Sequence, residues 1–420
     1  MEVLQEQFRI SERAPADVIR AGQHTQIGLV AAHAYATSGF WRERLEAAGF
    51  GHDGDWFARL PMLTRGEVKA AGPDAYGHPV PPGHGEVFEI VTSGSTGTPL
   101  AIAKTELAVR FWNAITLRDS LWRGRDLRGK LAVIRVGGAR GVIDSWGAAY
   151  AGYSTGPCVQ FDARDDTDSQ LDWLHAETPA VLLTHASNLR ALAVRSLERN
   201  LRLPGLTETR SYSEQLPPDL AELVGQAWNV GVSDLYSANE VGYVALGCPD
   251  SGLYHIQAED VLVEIIGDDG KHCGEGEPGR VVVTSLHNFA MPLLRYELGD
   301  YATTGPPCTC GRTLPTIERI LGRTRNMLRL PGGRTAFPGF PMGTLLKLPI
   351  IRQVKFIQHS LSDIELELVL ERPLTDDEQS ELRAAVCRRL QHPFNVVLTR
   401  VESIVLGRSY KREDFECRMA

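Results

Sequence analysis

Apolar residues follow two alternating patterns over most of the chain. Short continuous apolar runs at 131–136 and 179–185 have the length of buried strands. Helical spacing of apolar residues fills 105–122 and 187–198, and also 17–48 near the start. Strands that are apolar on both faces and are followed by helices predict a parallel α/β sheet.

Ligand-binding loops are expected where these strands end, because parallel α/β sheets bind ligands beyond the carboxyl ends of their strands. Two loops meet this description. One is 137–146, which starts with Gly137 and Gly138, and the other is 185–187. Both are therefore candidates for the functional site.

The pattern changes after residue 350. Three segments there indicate strands, the first two by alternation of apolar and polar residues, at 353–357, 364–370 and 395–401. Thr375, followed three positions later by Glu378, predicts a capped helix that runs to about Leu390. This mixture of strands and one helix predicts a small α+β unit.

The composition is that of an ordinary globular protein, with 420 residues, 43% of them hydrophobic and 23% charged. The length exceeds one domain, and the chain is expected to divide into a large α/β domain at 1–321 and a small α+β domain at 322–420, with the boundary at a hinge that the resemblance described below implies. A net charge of -8 without any Lys/Arg run argues against a nucleic-acid surface. The acidic start and the lack of an apolar run of ~20 residues predict a cytoplasmic protein without a membrane span.

Small hydroxyl residues and glycines crowd the segment before Pro99. Glycine tolerates positive φ, so consecutive backbone amides can face one concavity and, with the hydroxyls, hold a polyphosphate. The residues expected to do so are Thr92, Ser93, Gly94, Ser95, Thr96 and Gly97. No Gly-Lys-Ser/Thr follows, which excludes the Walker phosphate loop. A solvated turn or a linker is the alternative for such a composition.

The segment Thr-Ser-Gly-Ser-Thr-Gly-Thr-Pro at 92–99 resembles the phosphate loop of the adenylate-forming superfamily, which includes acyl-CoA synthetases, peptide-synthetase adenylation domains and luciferases. Leu-Pro-Met-Leu-Thr-Arg at 60–65 is similar to the opening of phenylacetate–CoA ligases. The family loop has a lysine beside its proline, whereas Thr98 and Leu100 occupy those positions here and Lys104 is out of register. The resemblance implies a large adenylate-forming domain with parallel α/β sheets, followed by a small α+β lid domain.

Further motifs follow in the order of that family. The segment from Tyr236 to Glu240 resembles Tyr-Gly-x-Thr-Glu, which implies that Tyr236 stacks on adenine and that Glu240 holds Mg²⁺ between the ATP phosphates. The segment ending at Asp300 is similar to the Pro-Leu/Ile-Ile-Arg-Tyr-x-x-Gly-Asp motif of phenylacetate–CoA ligases. By this resemblance Asp300 accepts hydrogen bonds from both ribose hydroxyls. Ser213 and Glu214 correspond to a segment that borders the adenine.

The segment 321–328 resembles the family hinge. Arg323 takes the place of an arginine that contacts the nucleotide. Two acidic residues of the family hinge are replaced by Arg325 and Asn326, which puts the standard rotation of the small domain in question.

The tail at 407–414 resembles the closing segment of the family, whose lysine reaches the α-phosphate and the reacting carboxylate. Lys411 is favoured for this role after a short gap, although Arg408 lies in strict register. A basic tail without a role is the alternative. The resemblance thus assigns catalysis to Lys411, Glu240 and Thr96.

Five residues after the first candidate strand correspond to the part of the family that shapes the acid pocket. They are Gly137, Gly138, Trp146, Tyr150 and Tyr153. If the aromatic side chains line that pocket, an aromatic or cyclic acid is the natural substrate, through ring stacking. Packing in the core is the alternative.

The seven cysteines are an odd number and do not indicate a disulfide framework. Cys248, Cys308 and Cys310, with His255, match the three thiolates and one imidazole of a closed tetrahedral zinc site. Several phenylacetate–CoA ligase-like proteins carry a similar arrangement. We expect a structural Zn²⁺ there, with reduced thiols and a packed histidine as the alternative.

The resemblance implies ATP-dependent activation of an aryl carboxylic acid as acyl-AMP with release of pyrophosphate, followed by transfer to coenzyme A. ATP, Mg²⁺ and Zn²⁺ are the expected cofactors. Transfer to an amine, a carrier protein or a small inorganic nucleophile is the alternative, as is an inactive nucleotide-binding homologue. A homodimer stays open, and neither nucleic acid nor a membrane is expected as a partner.

Overall fold

The structure, a computed structural model, describes residues 1–91, 100–138, 140–337, 350–404 and 415–419, apart from the side chain of Arg325. The helices in these ranges, numbered in chain order, are α1 (Glu2–Ser11), α2 (Ala16–Thr37), α3 (Gly39–Ala48), α4 (Trp56–Arg59), α5 (Arg65–Ala71), α6 (Glu106–Trp122), α7 (Thr167–Glu177), α8 (Ala186–Glu198), α9 (Leu220–Trp228) and α10 (Asp376–Leu390). Within the described residues, no helix has both the length and the apolar character needed to cross a membrane.

The strands fall into two large sheets, one small sheet and two hairpins. They are β1 (Val87–Val91), β2 (Ala101–Thr105), β3 (Leu131–Arg135), β4 (Gly141–Ile143), β5 (Cys158–Asp162), β6 (Val181–Thr184), β7 (Glu208–Ser211), β8 (Gly231–Ser233), β9 (Leu235–Ala238), β10 (Gly242–Gly247), β11 (Tyr254–Ile256), β12 (Val261–Ile266), β13 (Pro278–Ser285), β14 (Tyr296–Thr304), β15 (Thr316–Arg323), β16 (Leu328–Arg329), β17 (Thr335–Ala336), β18 (Ile351–Gln358), β19 (Asp363–Leu370), β20 (Asn395–Arg400) and β21 (Phe415–Cys417).

The predicted parallel sheet is present and has six strands. Their order is β4-β5-β3-β6-β7-β8, and every neighbouring pair is parallel except β4 with β5. The strands predicted at 131–136 and 179–185 are β3 and β6, and α8 follows β6 as expected. Side chains such as Ile134 and Leu182 are fully buried among those of α7, α8 and α9. Because helices cover this sheet, its strands are continuous apolar runs.

A second sheet of seven strands was not predicted. Its order is β12-β13-β14-β15-β11-β10-β9, and all neighbouring pairs are antiparallel. Three of its ladders shift register, and β10 is buried over its whole length. Regular alternation of apolar and polar residues is therefore missing here. The sheet packs with α2 and α3 in one hydrophobic cluster.

The helical pattern at 17–48 forms two helices, α2 and α3. Ser38 between them has an extended backbone, with φ -128° and ψ 124°, and its hydroxyl accepts a hydrogen bond from the Trp41 N–H. Serine at this position satisfies an amide that a helix start leaves unpaired. Ser38 therefore ends one helix and starts the next.

The C-terminal part has its own sheet, in the order β20-β19-β18-β21, with α10 packed on it. Thr375 and Glu378 form the predicted capping box of α10. The core of this part starts at Leu328. A division of the chain at 321 and 322 stays a prediction, and these two residues lie within β15 of the large antiparallel sheet.

Candidate functional site

The loops at the carboxyl ends of β6 and β7 lie side by side, as the parallel arrangement requires. The rings of His185 and Tyr212 stack with their centroids 4.5 Å apart. The carboxylate of Glu214 accepts hydrogen bonds from the Ser187 N–H at 2.8 Å and from the Ser187 hydroxyl at 3.1 Å. Ser187 is in the first turn of α8, where the helix dipole favours a negative charge. Glu214 is thus fixed at this edge of the sheet.

Asp300 on β14 contacts two of the other residues predicted to bind the nucleotide. One of its oxygens accepts a hydrogen bond from the Tyr236 hydroxyl at 2.7 Å, and the other lies 3.0 Å from Arg323 Nε. Asp300 and Arg323 are cross-strand partners of β14 and β15, whereas Tyr236 comes from β9. Burial and the charge of Asp300 raise the pKa of Tyr236 well above its usual value, so the phenol stays protonated as the donor.

The two large sheets meet beside this group through Gln215. Its side-chain amide donates a hydrogen bond to the Ile320 carbonyl at 3.0 Å. Gly322 has φ +113°, and a Cβ there would lie 3.2 Å from Gln215 Oε1, so glycine permits the close approach. Ser213, with φ +69°, turns the chain just before this contact. The segment that contains Ser213 and Glu214 is thus linked to β15, the strand that carries Arg323.

Glu240 follows β9 and forms an ion pair that was not predicted. Arg65 Nη1 lies 2.8 Å from Glu240 Oε1, and the two side chains are 26% and 14% exposed. Arg65 is the first residue of α5, and the preceding segment bridges to Tyr296. Burial and the charge of Glu240 raise the pKa of Tyr296 to about 12, against the opposite effect of Arg65. A cation of the chain itself therefore neutralises the carboxylate predicted to bind Mg²⁺.

The predicted phosphate loop lies outside the described residues, and so do Lys411 and Arg408. The loop positions concerned are Thr92, Ser93, Gly94, Ser95, Thr96 and Gly97. The hairpin that brings the ends of this loop together is described. Its strands β1 and β2 are antiparallel, and Val91 pairs with Ala101. The roles of these loop residues and of Lys411 stay predictions.

Gly137 and Gly138 follow β3 at the same edge of the parallel sheet as the loops after β6 and β7. Gly137 has φ +67°, and its N–H donates a hydrogen bond to Asp162 Oδ1 at 3.3 Å. At Gly138 a Cβ would lie 3.0 Å from the Phe161 carbonyl oxygen. The two glycines thus let the chain turn closely beside the edge where the other candidate residues lie.

The three aromatic residues predicted to line an acid pocket pack in or against one hydrophobic cluster beside the parallel sheet. Trp146 and Tyr150 are 7% and 4% exposed within a hydrophobic cluster, and the Tyr150 hydroxyl lies 2.8 Å from Ser120 Oγ. Tyr153 lines a cleft of about 440 Å³ beside α1 and Trp122. The burial of Trp146 and Tyr150 matches the core-packing alternative. Contact of any of the three with a substrate stays a prediction.

The four residues of the predicted zinc site form one cluster, called here the cysteine cluster: Cys248, His255, Cys308 and Cys310. Their ligand atoms all lie within 4.8 Å of one another. The sulfurs of Cys248 and Cys308 are 3.8 Å apart, and Cys310 Sγ is 3.3 Å from His255 Nε2. Tetrahedral ligands at zinc–sulfur and zinc–nitrogen distances of about 2.0–2.3 Å lie about 3.3–3.8 Å apart. The donor set therefore fits Zn²⁺.

Neighbouring groups support the cysteine cluster. Arg312 Nη1 lies 3.5 Å from Cys310 Sγ, and its guanidinium lies 4.3 Å from the centre of the Trp122 ring. The Asp250 N–H donates a hydrogen bond to Cys248 Sγ at 3.4 Å. Burial lowers the pKa of His255 to about 4, so the imidazole is neutral, as a metal ligand must be.

No family model matches the chain. Over 405 residues the chain is 23% identical to a phenylacetate-coenzyme A ligase of Thermus thermophilus, with 93% of this chain and 90% of the relative covered. A phenylacetate-coenzyme A ligase of Escherichia coli is 25% identical over 341 residues, with 76% of this chain and 75% of the relative covered. Over most of its length the chain is thus similar to phenylacetate-coenzyme A ligases.

Solved structures of a 2-hydroxyisobutyryl-CoA ligase share the fold of this phenylacetate–CoA ligase-like chain. In the postadenylation state, in complex with R3-HIB-AMP, the TM-score is 0.77 at 21% identity, with 97% of this chain and 90% of that chain covered. In the thioesterification state, in complex with 2-HIB-AMP and CoA, the TM-score is 0.62 at 21% identity, with 97% and 91% covered.

Arg65 is the site residue of this phenylacetate–CoA ligase-like protein to which the sequence motifs gave no role. It lies 175 positions before Glu240, its partner, so no local pattern links the two. One signal was available. Arg65 occupies the first position of a capped helix, where a positive charge opposes the helix dipole and therefore needs another reason.

Proposed function

We propose that the protein activates a carboxylic acid with ATP as an acyl-adenylate, releases pyrophosphate, and transfers the acyl group to coenzyme A. The observation that carries this proposal is the carboxylate of Asp300, which holds Tyr236 and Arg323 where the two large sheets meet. Similarity to phenylacetate-coenzyme A ligases over most of the chain supports it. A neighbour of the same fold, solved with an acyl-AMP and CoA, supports the same order of steps.

The residues around Asp300 suit a nucleoside. An ionised carboxylate can accept hydrogen bonds from both ribose hydroxyls, because its two oxygens offer several acceptor positions. Tyr236 and Arg323 already orient those oxygens. In the proposal Tyr236 borders the adenine from one side, and Ser213 with Glu214 border it from the other.

Glu240 is the proposed ligand of Mg²⁺, since magnesium takes hard oxygen donors and needs only one or two carboxylates beside the phosphates. Magnesium bound there would neutralise part of the triphosphate charge. Arg65, which pairs with Glu240 in the structure, would then lie beside the same phosphates, where a guanidinium can donate hydrogen bonds to their oxygens. The loop at 92–97 and Lys411 complete the proposed phosphate contacts.

The chemistry requires little of the protein beyond positioning and charge. A carboxylate oxygen attacks the α-phosphorus of ATP, the bond to the β-phosphate oxygen breaks, and pyrophosphate leaves. The thiolate of coenzyme A then attacks the acyl carbon, and AMP leaves with the electron pair of the broken C–O bond. An aromatic acid stays the proposed substrate class, because Trp146, Tyr150 and Tyr153 would stack on its ring if they line the acid pocket.

We also propose a structural metal site and a mobile lid domain. The cysteine cluster would hold one Zn²⁺ that ties the turn after β10 to the turn after β14. Residues 322–420 would act as a lid domain, which is supported by a separate core from Leu328 onward. Arg325 and Asn326 occupy the hinge positions, so the lid would turn about a hinge without the usual acids.

Pyrophosphate release tests the proposal. The protein is incubated with Mg-ATP and a panel of aryl and short-chain carboxylic acids, and pyrophosphate is measured with a coupled assay. We expect release with at least one acid, and a thioester of the matching mass after CoA is added. Release without a thioester would retain the adenylation and overturn the CoA step. No release across the panel, from protein shown to bind ATP, would overturn the enzyme assignment.

A further inference from the structure

Lys104 on β2 is a buried lysine whose ammonium lies over an aromatic ring. It is 7% exposed, and within the part of the chain that the structure describes its ammonium has no carboxylate within 4.0 Å and no hydrogen-bond acceptor. Its nearest recorded contact is the Trp112 ring, whose centre is 5.4 Å from Nζ. Burial lowers its pKa, and the negative charges of Asp260 and Glu240 oppose that effect.

Asp260 is a buried carboxylate close to the same place. It is 6% exposed and precedes β12. A Cβ on Gly242 would lie 3.7 Å from Asp260 Oδ2 and 3.5 Å from the Trp112 ring. Trp112 and Asp260 therefore lie against the backbone of Gly242, two positions after Glu240, and Lys104 lies over the same Trp112 ring.

The ammonium of Lys104 and the carboxylate of Asp260 are too far apart to form a satisfied ion pair. A charge removed from water is costly unless it is paired and hydrogen-bonded, and an ion pair compensates only when its geometry is close. Here the ammonium and the carboxylate are more than 4.0 Å apart. A polar ligand between Gly242 and Lys104 would supply the missing contact.

The sequence gives a reason for a cation at this point. The loop from Thr92 to Pro99 contains no charged residue, although it is the proposed cradle of a triphosphate. Lys104 is on the strand that leaves this loop, and Glu240, the proposed Mg²⁺ ligand, is within its electrostatic reach. An anionic reactant bound beside Glu240 would thus meet a desolvated ammonium, where a charge-assisted hydrogen bond is strong.

We propose that Lys104 is a substrate-contacting residue whose ammonium binds an anionic oxygen of a reactant beside Glu240, with Asp260 as the residue that keeps this ammonium charged. The inference rests on the proposed function. The anionic oxygen belongs either to a phosphate of ATP or to the carboxylate of the acid. An ammonium would bind either oxygen in the same way, and the experiment distinguishes the phosphate from the carboxylate.

The test compares Lys104→Met with Lys130→Met and Asp260→Asn at pH 8. Lys130 is the matched control, because its ammonium is paired with Glu177 at 2.9 Å away from the site. Binding of ATP and of inorganic pyrophosphate is measured by calorimetry in the presence of Mg²⁺. The KM for the acid that the wild type uses best is measured by pyrophosphate release, and the melting temperature is recorded for each variant.

For Lys104→Met we expect one constant to weaken roughly tenfold or more, which is the usual loss for a hydrogen bond to a charged group. Weaker ATP and pyrophosphate binding would assign the contact to a phosphate, and a raised KM for the acid alone would assign it to the carboxylate. Lys104→Met should still fold, with a melting temperature moderately below that of the wild type, because the buried carboxylate of Asp260 loses a positive charge that partly offsets its burial. Asp260→Asn should weaken the same constant by less than Lys104→Met does, because losing this negative neighbour lowers the pKa of Lys104, and the loss should shrink at lower pH, where the ammonium stays charged.

The proposal is overturned if Lys104→Met equals Lys130→Met in all constants. It is also overturned if Lys104→Met does not fold, or if Asp260→Asn weakens the same constant as much, because the pair would then be structural. A wild type without any turnover counts against the proposed function itself. Equal constants in an active Lys104→Met variant count against this inference alone.

Discussion

The cysteine cluster and a second group, the carboxylate cluster, balance their charges in different ways. The carboxylate cluster consists of Glu240 and Asp300, each with its own arginine, Arg65 and Arg323. The cysteine cluster brings three sulfurs and one imidazole together with a single arginine beside them. The carboxylate cluster is neutralised by arginines of the chain itself, whereas the cysteine cluster has the donor set of a zinc site, and we expect Zn²⁺ to occupy it. From this difference we expect the carboxylate cluster to exchange ligands during a reaction and the cysteine cluster to hold the chain together.

Removal of the metal from the cysteine cluster should have the largest effect. The purified protein is expected to contain about one zinc per chain, measured by inductively coupled plasma mass spectrometry. The double change Cys308→Ser and Cys310→Ser should abolish zinc binding and lower the melting temperature by roughly 10 °C or more, because metal affinity is folding free energy in such sites.

Cys417→Ser is the control for that change, since Cys417 lies on β21 in the C-terminal sheet. It should retain both zinc and stability. A wild-type protein that contains no zinc, and whose melting temperature does not change when a chelator is added, would contradict a structural role for zinc. It would leave the reduced-thiol alternative as the description of this cluster.

Loss of the Asp300 charge should leave the fold intact and remove nucleotide use. Asp300→Asn retains the shape but loses the charge that would bind two ribose hydroxyls. Because two charge-assisted hydrogen bonds to the ribose would be weakened, kcat/KM for ATP should fall by roughly 100- to 1000-fold. The zinc content should be unchanged. Pyrophosphate release at varied ATP concentration measures this effect.

Asp172→Asn is the matched control for Asp300→Asn, because Asp172 is exposed and pairs with Arg199 on the surface. Its kinetics should equal those of the wild type. Unchanged ATP turnover in Asp300→Asn would remove Asp300 from the site and separate the carboxylate cluster from the nucleotide.

Much of the fold followed from local patterns, and the exceptions have identifiable causes. The buried strands β3 and β6 and the capping box at Thr375 each depend on residues close together in the sequence. The antiparallel sheet was missed because several of its strands are short, its ladders shift register, and β10 is buried throughout. In β10, and from the register shifts of β13, β14 and β15 onward, the alternation by which a strand is recognised is therefore interrupted.

The site divided in the same way. Motif order placed Tyr236, Asp300 and Arg323 in one nucleotide site, and in the structure Asp300 contacts both of the other two. The pair Arg65–Glu240 joins residues 175 positions apart, and only the folded chain reveals it. Trp146 and Tyr150 show the converse limit, because an aromatic residue near a predicted pocket has the same sequence pattern as one in the core.

The smallest expected effect concerns Asp260, a second buried carboxylate. Among the described residues no arginine pairs with it, in contrast to Asp300. Burial raises the pKa of Asp260 to about 7, with Lys104 on β2 opposing this and the adjacent Glu259 adding to it. A carboxyl group whose pKa is raised on folding stabilises the protein below its unfolded pKa, and this contribution is lost as the pH rises through the folded value. Between pH 5 and pH 7 the free energy of unfolding of the wild type should therefore fall by about 2 kcal/mol relative to Asp260→Asn. Urea unfolding at several pH values measures the difference, and Asp234, whose pKa is also raised by burial to about 7, is present in both proteins and cancels. Parallel stability curves for the two proteins would show that Asp260 is ionised throughout this range, and that Lys104 compensates it as closely as Arg323 compensates Asp300.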